Sequence, residues 1–271
     1  MRHASFLIVR NLLLTLMLLP ALLVSAEPAA DIDARPVAVI TGSSYGLGKE
    51  LVQRAVDRGW RVALVDVRPE PSQALVAEIE AAGGSALFFE VDLADPLQRM
   101  GLIARVVSEY GRVDYLFNNA GYAYLATLEQ MEAADARHLF EVNFWAYADL
   151  AQQVIPVMRS QGGGTILNVS SILGMRAAPV GYGHYSATKH ALHGLFQSVM
   201  REVADDNIKV FVAAPGGMRT HVGKHSVGPM ADPANDRAAK WEDPAVAADD
   251  IFEAIQGESG IFNPGAVGRR S

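Results

Sequence analysis

Six short apolar runs recur along the chain from residue 37 onward, and longer stretches of mixed polarity separate them. The runs are β-branched or aromatic in character and are bounded by Gly, Asp or Asn, which is typical of strands. Their near-continuous apolarity indicates strands that are buried on both faces, as in a parallel sheet. We predict strands at VAVIT (37–41), RVALVD (61–66), ALFFEVD (86–92), YLFNN (115–119), TILNVS (165–170) and KVFVAAP (209–215).

The stretches between these runs have helical periodicity. In the longest of them an apolar stripe at helical spacing is formed by Leu192, Leu195, Phe196, Val199 and Val203. We predict helices over residues 46–58, 72–82, 96–110, 133–160, 185–204 and 244–256. Alternation of strands and helices predicts right-handed crossovers, and hence a single-domain, doubly wound α/β fold with a parallel sheet flanked by helices. Residues 216–241 are expected to be irregular, and residues 260–271 to hold at most one edge strand.

The N-terminus differs from the rest of the chain. Arg2 and Arg10 flank the start of an apolar stretch that covers residues 12–24, and the small residues of VSA follow it. We predict that residues 1–26 are a signal peptide that is cleaved after Ala26. The alternative is an uncleaved membrane anchor, because the longer stretch from Phe6 to Val24 is nearly long enough to span a bilayer.

A linker and one folded domain are predicted to come after this segment. EPAADIDAR, residues 27–35, reads as the linker, and residues 36–271 as the domain. Basic residues before the apolar stretch and acidic residues after it favour export of the domain. The protein is therefore expected to be exported or membrane-associated. The alternative is an anchor that leaves the domain facing the cytoplasm.

Composition narrows the possible functions. A chain of 271 residues can form one large α/β domain and is short for two. A formal net charge of −7 without a basic run argues against nucleic-acid binding. The absence of cysteine excludes disulfides, thiolate catalysis and cysteine metal sites. The seven histidines show no HExxH or similar clustering with acids, so no metal site is predicted.

A glycine-rich turn, TGSSYGLG, lies after the first predicted strand and opens the first predicted helix. Gly42, Gly46 and Gly48 permit a tight turn and a close approach of the backbone to a pyrophosphate. The phosphates would lie at the positive end of that helix. Glycines often form turns without any ligand, but this position in an alternating chain indicates dinucleotide binding.

Acidic residues end or follow the second and third predicted strands. Asp66 can bind the ribose hydroxyls of NAD and would repel the 2′-phosphate of NADP, or it could simply cap its strand. Arg68 lies two residues further on and could partly accommodate that phosphate. We predict NAD rather than NADP as the cofactor. Asp92 is placed either to meet the adenine edge or to cap the helix predicted to begin at Pro96.

The stretch HYSATKHAL places Tyr185 and Lys189 four positions apart, on one face of a predicted helix. Such pairs are common on helix surfaces without any function. A phenol has a pKa of about 10 and is a poor base at neutral pH, but a nearby cation lowers that pKa. The pair could then exchange protons with an alcohol or a ketone. Tyr182, three residues earlier, has no lysine at this spacing.

Six motifs, in this order, resemble those of the classical short-chain dehydrogenase/reductases. TGSSYGLG is similar to the TGxxxGxG turn of that family, and NNAG at residues 118–121 to a segment after the fourth strand. Asn143, in FEVNFWA, matches a helix asparagine. ILNVSS carries the serine of the family, which is placed at Ser171, with the adjacent Ser170 as the alternative.

The remaining two motifs lie in the C-terminal half. Tyr185 and Lys189 form the YxxxK pair, and Pro215-Gly216, together with Thr220, resembles the segment that holds the nicotinamide end. The resemblance covers roughly residues 36–256. It implies a Rossmann-like fold and an NAD(P)-dependent oxidoreductase that moves a hydride between nicotinamide and a secondary alcohol or ketone. It also implies a homodimer or homotetramer.

The resemblance implies a role for each matching residue. Tyr185 would be the general acid/base, and Lys189 would lower its pKa and bind the nicotinamide ribose. Ser171 would hold the substrate oxygen, and Asn143 would fix a helix kink and a water that connects Lys189 to solvent. The residues implied to bind the dinucleotide are Thr41, Gly42, Ser44, Gly46, Leu47, Gly48, Asp66, Asp92, Leu93, Asn119, Ala120, Gly121, Tyr185, Lys189, Pro215, Gly216 and Thr220.

Two other functions compete with this interpretation. A non-catalytic dinucleotide sensor would keep the fold, but it would not need the complete set of Asn143, Ser171, Tyr185 and Lys189. The second is a different enzyme of a nucleotide-binding fold. A sugar epimerase is disfavoured by the TGxxxGxG spacing and by the lack of a sizeable C-terminal domain. A methyltransferase is disfavoured because it would have no use for the YxxxK pair. The substrate stays open, because loops 172–184 and 216–241 would shape its pocket.

Overall fold

Each of the six apolar runs forms a strand in the computed structural model, and a short seventh strand lies near its C-terminus. The structure describes residues 33–218, 226–232 and 242–265, which belong to one compact unit beginning at Asp33. The predicted signal peptide or anchor lies outside these residues. The strands are Val37–Thr41 (β1), Arg61–Asp66 (β2), Ser85–Glu90 (β3), Tyr115–Asn118 (β4), Gly164–Val169 (β5), Ile208–Ala213 (β6) and Gly260–Phe262 (β7).

All seven strands run parallel in one sheet, in the order β3-β2-β1-β4-β5-β6-β7. The doubly wound fold that the alternation predicted is therefore confirmed. The strand order reverses between β1 and β4, and ligands of such sheets bind at the carboxyl ends of the strands near this point. The edge strand β7 pairs with β6.

The helices agree with the predictions, with two departures. They are Gly46–Asp57 (α1), Pro69–Ala81 (α2), Pro96–Arg99 (α3), Leu102–Tyr110 (α4), Ala133–Phe140 (α5), Ala146–Ser160 (α6), Gly183–Glu202 (α7) and Pro244–Ala254 (α8). The single helix predicted over residues 96–110 is wrong, because Gly101 adopts a left-handed φ of +71° and separates α3 from α4. The helix predicted over residues 133–160 contains a π-helical turn, Glu141–Trp145.

Two apolar cores lie on the two faces of the sheet. One packs the sheet against α4, α6 and α7, including the predicted stripe residues Leu192 and Phe196. The other packs it against α1, α2 and α8, with Leu51 and Ile251 among its buried residues. Because both faces are covered, the strands β1 and β2 are wholly buried, which explains the apolar residues that fill the interior of each.

The start of the described chain is held at the amino end of the sheet. The buried guanidinium of Arg61 donates from Nη2 to the carbonyl oxygens of Asp33 at 2.7 Å and Arg35 at 3.0 Å. This end lies opposite to the strand ends where ligands bind in such folds. No helix within the described ranges is long and apolar enough to span a lipid bilayer.

Candidate active site

The glycine-rich turn joins β1 to α1, and each of its three glycines is required for a structural reason. Gly42 and Gly46 have left-handed φ values of +64° and +54°, which side chains disfavour. A Cβ at Gly48 would lie 2.0 Å from the carbonyl oxygen of Gly42, so no larger residue fits there. The turn therefore opens directly at the N-terminus of α1, where backbone N–H groups attract anions.

The NNAG segment locks this turn across the point where the strand order reverses. Thr41 Oγ1 accepts hydrogen bonds from the backbone N–H groups of Asn119 at 2.9 Å and Ala120 at 3.0 Å. The Asn119 side-chain amide donates in return to the carbonyl oxygens of Thr41 at 2.9 Å and Gly42 at 3.2 Å. The segments predicted to bind dinucleotide after β1 and β4 thus form one rigid cradle.

Asp66 is buried at the end of β2 and faces the glycine-rich turn. Its Oδ2 accepts from the backbone N–H of Ser44 at 3.1 Å. Its Oδ1 accepts from the backbone N–H of Arg68 at 3.2 Å and from Arg68 Nε at 3.0 Å. The Arg68 guanidinium also lies 4.7 Å from the ring centroid of Tyr45. An acidic and a basic group therefore share the end of β2, the position predicted to meet the adenosine ribose.

Asp92 lies in the loop after β3, and the alternative that it caps the next helix is wrong. Its Oδ1 accepts from the backbone N–H of Ala94 at 2.8 Å, within the loop. The N-cap of α3 is Asp95, whose Oδ1 accepts from the backbone N–H of Leu97 at 2.9 Å. Leu93 is buried beside Asp92. The structure leaves the expected contact of Asp92 with adenine as a prediction.

A buried arginine connects this loop to the helices of the other half. Arg99 donates from Nη1 to the carbonyl oxygen of Leu93 at 2.7 Å. Its other nitrogens contact the carboxylates of Glu141 and Asp149, each at 2.8 Å. Glu141 begins the π-helix that carries Asn143, so the arginine ties the position of that turn to the loop after β3.

Asn143 is completely buried in the π-helix, and both ends of its amide are held by one neighbour. Its Nδ2 donates to the carbonyl oxygen of Tyr122 at 2.9 Å, and its Oδ1 accepts from the N–H of Tyr122 at 3.1 Å. Nδ2 also lies 3.3 Å from Thr188 Oγ1, which donates to the carbonyl oxygen of Tyr185 at 2.7 Å. A Cβ at Gly121 would lie 3.1 Å from Asn143 Oδ1.

The two adjacent serines after β5 point in different directions. The Ser171 hydroxyl faces the Tyr185 phenol closely enough to lower its pKa, and its Oγ accepts from the backbone N–H of Leu173 at 3.1 Å. Ser170 Oγ instead donates to the carbonyl oxygen of Lys189 at 3.2 Å and pairs with His193 Nε2 at 3.0 Å. Of the two candidates, the structure places Ser171 against the phenol.

Burial dominates the electrostatics of the YxxxK pair. The Lys189 side chain is buried, and desolvation lowers the pKa of its ammonium group to about 7. Burial raises the pKa of the Tyr185 phenol, the hydrogen bond with Ser171 opposes that rise, and Tyr182 adds to it. The expected lowering of the pKa of Tyr185 by Lys189 is not among these causes. The lysine Nζ lies 5.9 Å from the Tyr185 ring centroid.

The segment after β6 lies beside the serine turn. The backbone N–H of Ile172 donates to the carbonyl oxygen of Pro215 at 2.9 Å, and the N–H of Glu242 to that of Gly217 at 2.9 Å. Gly216 therefore stands between two fixed carbonyls, close to Ser171. Thr220, the last predicted dinucleotide contact, lies outside the described residues.

Several residues that contact the site carry no motif signal. The backbone N–H and carbonyl of Tyr122 are hydrogen-bonded to the Asn143 amide. The Thr188 hydroxyl connects that amide to the carbonyl oxygen of Tyr185. Tyr147 is buried beside Lys189, with its ring centroid 5.3 Å from Nζ. Tyr147 lies four residues after Asn143, so helical spacing could have flagged it as sharing the same face.

The assembled site can bind an anionic ligand and move a proton. Its two parts meet at the carboxyl ends of β1, β4 and β5: a backbone cradle of glycines, and a phenol, hydroxyl and buried amine. Across the ranges that the structure describes, no three His, Asp or Glu side chains come together in a way that could hold a metal ion.

Comparisons with known proteins agree with this arrangement. The sequence profile of the short-chain dehydrogenase family matches residues 36–229. The chain is 33% identical over 189 residues to a 2,5-dichloro-2,5-cyclohexadiene-1,4-diol dehydrogenase of Sphingobium indicum, covering 70% of this chain and 75% of that protein. It is 34% identical over 184 residues to a 3-oxoacyl-acyl-carrier-protein reductase of Thermotoga maritima, covering 68% of this chain and 74% of that protein.

Solved structures share the fold as well. A short-chain dehydrogenase from Streptomyces avermitilis, 31% identical, has a TM-score of 0.76 and covers 86% of this chain and 89% of its own. One from Sphingobium yanoikuyae in complex with NADPH, 26% identical, has a TM-score of 0.77 and covers 86% of this chain and 89% of its own. One from Burkholderia phymatum in complex with NAD, 24% identical, has a TM-score of 0.78 over 85% and 89%. The chain is therefore an oxidoreductase of the short-chain dehydrogenase/reductase family, as its motifs predicted.

Proposed function

We propose that the protein transfers a hydride between the nicotinamide of NAD(P) and the carbon of a secondary alcohol or ketone, with Tyr185 as general acid/base. The observation that carries the proposal is the meeting of Ser171, Tyr185 and the buried Lys189 beside the glycine cradle. The glycine turn fits a dinucleotide, because it opens at the N-terminus of α1 and because a Cβ at Gly48 would collide with the Gly42 carbonyl oxygen and force the turn apart. When bound, the dinucleotide accepts or supplies the hydride.

The residues of this chain would divide the remaining work. Gly42, Gly46 and Gly48 would hold the pyrophosphate against the N-terminus of α1. Ser171 would hold the substrate oxygen, and Tyr185 would take the hydroxyl proton as an alcohol becomes a ketone, or return it in reduction. The ammonium of Lys189 would favour the phenolate and bind the nicotinamide ribose.

The choice between NAD and NADP depends on Asp66 and Arg68. The buried Asp66 carboxylate would accept hydrogen bonds from ribose hydroxyls and repel a 2′-phosphate. The Arg68 guanidinium uses Nε on Asp66 and stacks on Tyr45, and its side chain is 42% exposed. We therefore propose a preference for NAD that is reduced by Arg68.

The test is turnover by the full-length protein and two matched variants. Nicotinamide absorbance is monitored with NAD and NADP against secondary alcohols and ketones. We expect Y185F to lose about 10²- to 10⁴-fold in kcat. Y182F removes a hydroxyl from a ring that lies 6.3 Å from that of Tyr185, and it should retain activity. If the protein binds dinucleotide and no substrate is turned over by the parent or either variant, a non-catalytic sensor becomes the better description.

The N-terminus and the assembly are separate proposals. We propose that residues 1–26 act as a signal peptide or membrane anchor, so that the protein is exported or membrane-associated. A reporter fused after Arg35 would show on which side of the membrane the domain lies, and a reporter that stays in the cytoplasm would contradict export. We also propose a homodimer or homotetramer, which sedimentation equilibrium would measure directly.

A further inference from the structure

Lys189 is a buried cation with few partners. The residue is 3% exposed, and its Nζ donates a hydrogen bond to the carbonyl oxygen of Val169 at 2.9 Å. Among residues 33–218, 226–232 and 242–265, no carboxylate forms an ion pair with it. Burying an isolated ammonium group is costly, so its charged form requires another source of stabilisation.

Tyr147 supplies an aromatic face at this point. It lies on α6, is 1% exposed, and its ring centroid is 5.3 Å from Lys189 Nζ. A cation within about 6 Å of a tyrosine ring is attracted by the ring quadrupole, and the attraction grows when water is excluded. The ring of Tyr185 lies at 5.9 Å. Tyr147 is therefore the nearer of two aromatic partners of the ammonium group.

The hydroxyl of Tyr147 reaches the backbone that positions Lys189. It donates to the carbonyl oxygen of Ala120 at 2.9 Å and lies 3.3 Å from that of Val169. The Val169 carbonyl is the same acceptor that Lys189 uses. One side chain thus joins the NNAG segment after β4, the end of β5 and the acceptor of the buried lysine.

We propose that Tyr147 is a positioning residue for the hydride-transfer site: its ring keeps the Lys189 ammonium charged, and its hydroxyl fixes the carbonyl that orients it. This inference rests on the proposed function of Lys189. Its test, however, reads the charge of the lysine without substrate or turnover. A failure of the proposed function and a failure of this inference are therefore separate results.

The other groups that face Lys189 leave Tyr147 as the testable source of stabilisation. On α7 the titratable neighbours are Tyr185 and His193, and the charge of Lys189 contributes to lowering the pKa of His193. The π-helix contributes the neutral Asn143, and β5 and the turn after it contribute the Val169 carbonyl and neutral serines. Desolvation lowers the pKa of Lys189 to about 7, so its titration falls in an accessible range.

The experiment is an NMR titration of the full-length protein carrying ¹³C-labelled lysine. The chain has five lysines, at positions 49, 189, 209, 224 and 240, and the spectrum of K189R assigns the signal of Lys189. In Y147M, which keeps an apolar side chain of similar reach, we expect the midpoint for Lys189 to move to lower pH by roughly one pH unit. In Y147F, which keeps the ring, we expect the midpoint of the parent.

Controls separate this effect from a general loss of packing. Tyr110 is a second buried tyrosine, whose hydroxyl donates to the Val62 carbonyl oxygen at 3.2 Å, so Y110M tests loss of a buried ring away from Lys189. Y147L replaces Y147M if the latter does not fold. An unchanged midpoint in the apolar variants at position 147, or an equal shift in Y110M, would overturn the proposal. So would a shift in Y147F as large as that in Y147M.

Discussion

The two halves of the site are held by different forces. The cradle between β1 and β4 is fixed by backbone geometry: left-handed glycines, a Gly48 with no room for a Cβ, and reciprocal bonds between Thr41 and Asn119. The half on α6 and α7 is fixed by buried side chains. There the buried amide of Asn143 is hydrogen-bonded to the backbone of Tyr122, and burial lowers the pKa of the Lys189 ammonium group.

Under the proposed function, this difference separates the half that would bind the dinucleotide from the half that would carry out the chemistry. A cradle made of backbone atoms keeps the same shape at any pH. A substitution that distorts it should therefore lower both the affinity for dinucleotide and the free energy of unfolding. A buried amine lowers stability wherever the unfolded chain holds its proton more tightly, and it is retained for what it does to a reacting group. Substitutions in the two halves should therefore move stability in opposite directions.

The largest effect on dinucleotide affinity is expected from G48A in the cradle. The new methyl group would lie 2.0 Å from the Gly42 carbonyl oxygen and 2.7 Å from Asn119 Nδ2, so the turn must open. We expect the free energy of unfolding to fall by about 1–3 kcal/mol, and dinucleotide affinity by about 100-fold or more. Calorimetric titration with NAD and denaturant unfolding measure the two quantities.

G194A is the matched control for that variant. Gly194 lies on the exposed side of α7, and a Cβ there meets nothing within 4 Å. Alanine favours a helix by about 1 kcal/mol over glycine, so we expect a small gain in stability and unchanged affinity. Normal NAD binding by G48A would show that the turn does not form the cradle.

K189M, in the half on α6 and α7, should raise the free energy of unfolding, whereas G48A lowers it. The pKa of Lys189 is about 7 in the folded protein and 10.5 ordinarily, so between these pH values the unfolded chain binds the proton more tightly. Stability then rises with pH across this window and is lowest near pH 7 and below. We expect the free energy of unfolding of K189M to exceed that of the parent by about 2–4 kcal/mol at pH 7 and to lose its rise with pH. The variant should also lose turnover.

The control for K189M is a lysine outside the core. Lys209 Nζ donates to the carbonyl oxygen of Gly257 at 2.8 Å on an exposed surface. K209M should keep the pH slope and the turnover of the parent. Urea unfolding at several pH values measures the slope, and an identical slope in K189M and the parent would contradict the assigned protonation.

The geometry of the glycine turn was easier to predict from the sequence than that of the half on α6 and α7, because the turn depends only on residues that are close together along the chain. Gly42, Gly46 and Gly48 act within one turn, so their spacing carries the whole signal. Ser170 and Ser171 are neighbours in the chain, and only the direction of each hydroxyl, toward the Lys189 carbonyl and His193 or toward Tyr185, separates them. Such directions depend on packing between distant elements.

Other contacts of the site could not be predicted from the sequence for the same reason. The backbone of Tyr122 contacts the Asn143 side chain, and the Tyr147 hydroxyl contacts the carbonyl oxygens of Ala120 and Val169, so both contacts join segments that are distant along the chain. The sequence pattern of residues 96–110 is helical throughout, and the left-handed turn at Gly101 interrupts it. Glycine within a helical pattern is compatible with either outcome. The strands and the main helices were predictable because burial on both faces of the sheet enforces their patterns.

A smaller effect is expected at the outer end of the cradle, where β2 ends, in D66N. The change removes the charge that would repel a 2′-phosphate while keeping the shape that faces the Ser44 N–H. We expect the ratio of NADP to NAD affinity to rise about 10-fold, which corresponds to about 1.4 kcal/mol. R68A should move the ratio the other way. Dissociation constants for both dinucleotides measure it, and an unchanged ratio in D66N would show that Asp66 only caps its strand.

The smallest effect is expected from Y122F, although Tyr122 touches Asn143. Its phenol pairs with His138 Nδ1 at 2.7 Å on an exposed surface, whereas its backbone N–H and carbonyl hold the Asn143 amide. Losing one such hydrogen bond lowers stability by about 0.5–1.5 kcal/mol. Because phenylalanine keeps the backbone, kcat should stay within about twofold, well below the loss expected for an acid/base group. N143A, which removes the amide itself, should reduce kcat far more. A Y122F variant as impaired as N143A would mean that the tyrosine side chain, and not its backbone, orients the asparagine.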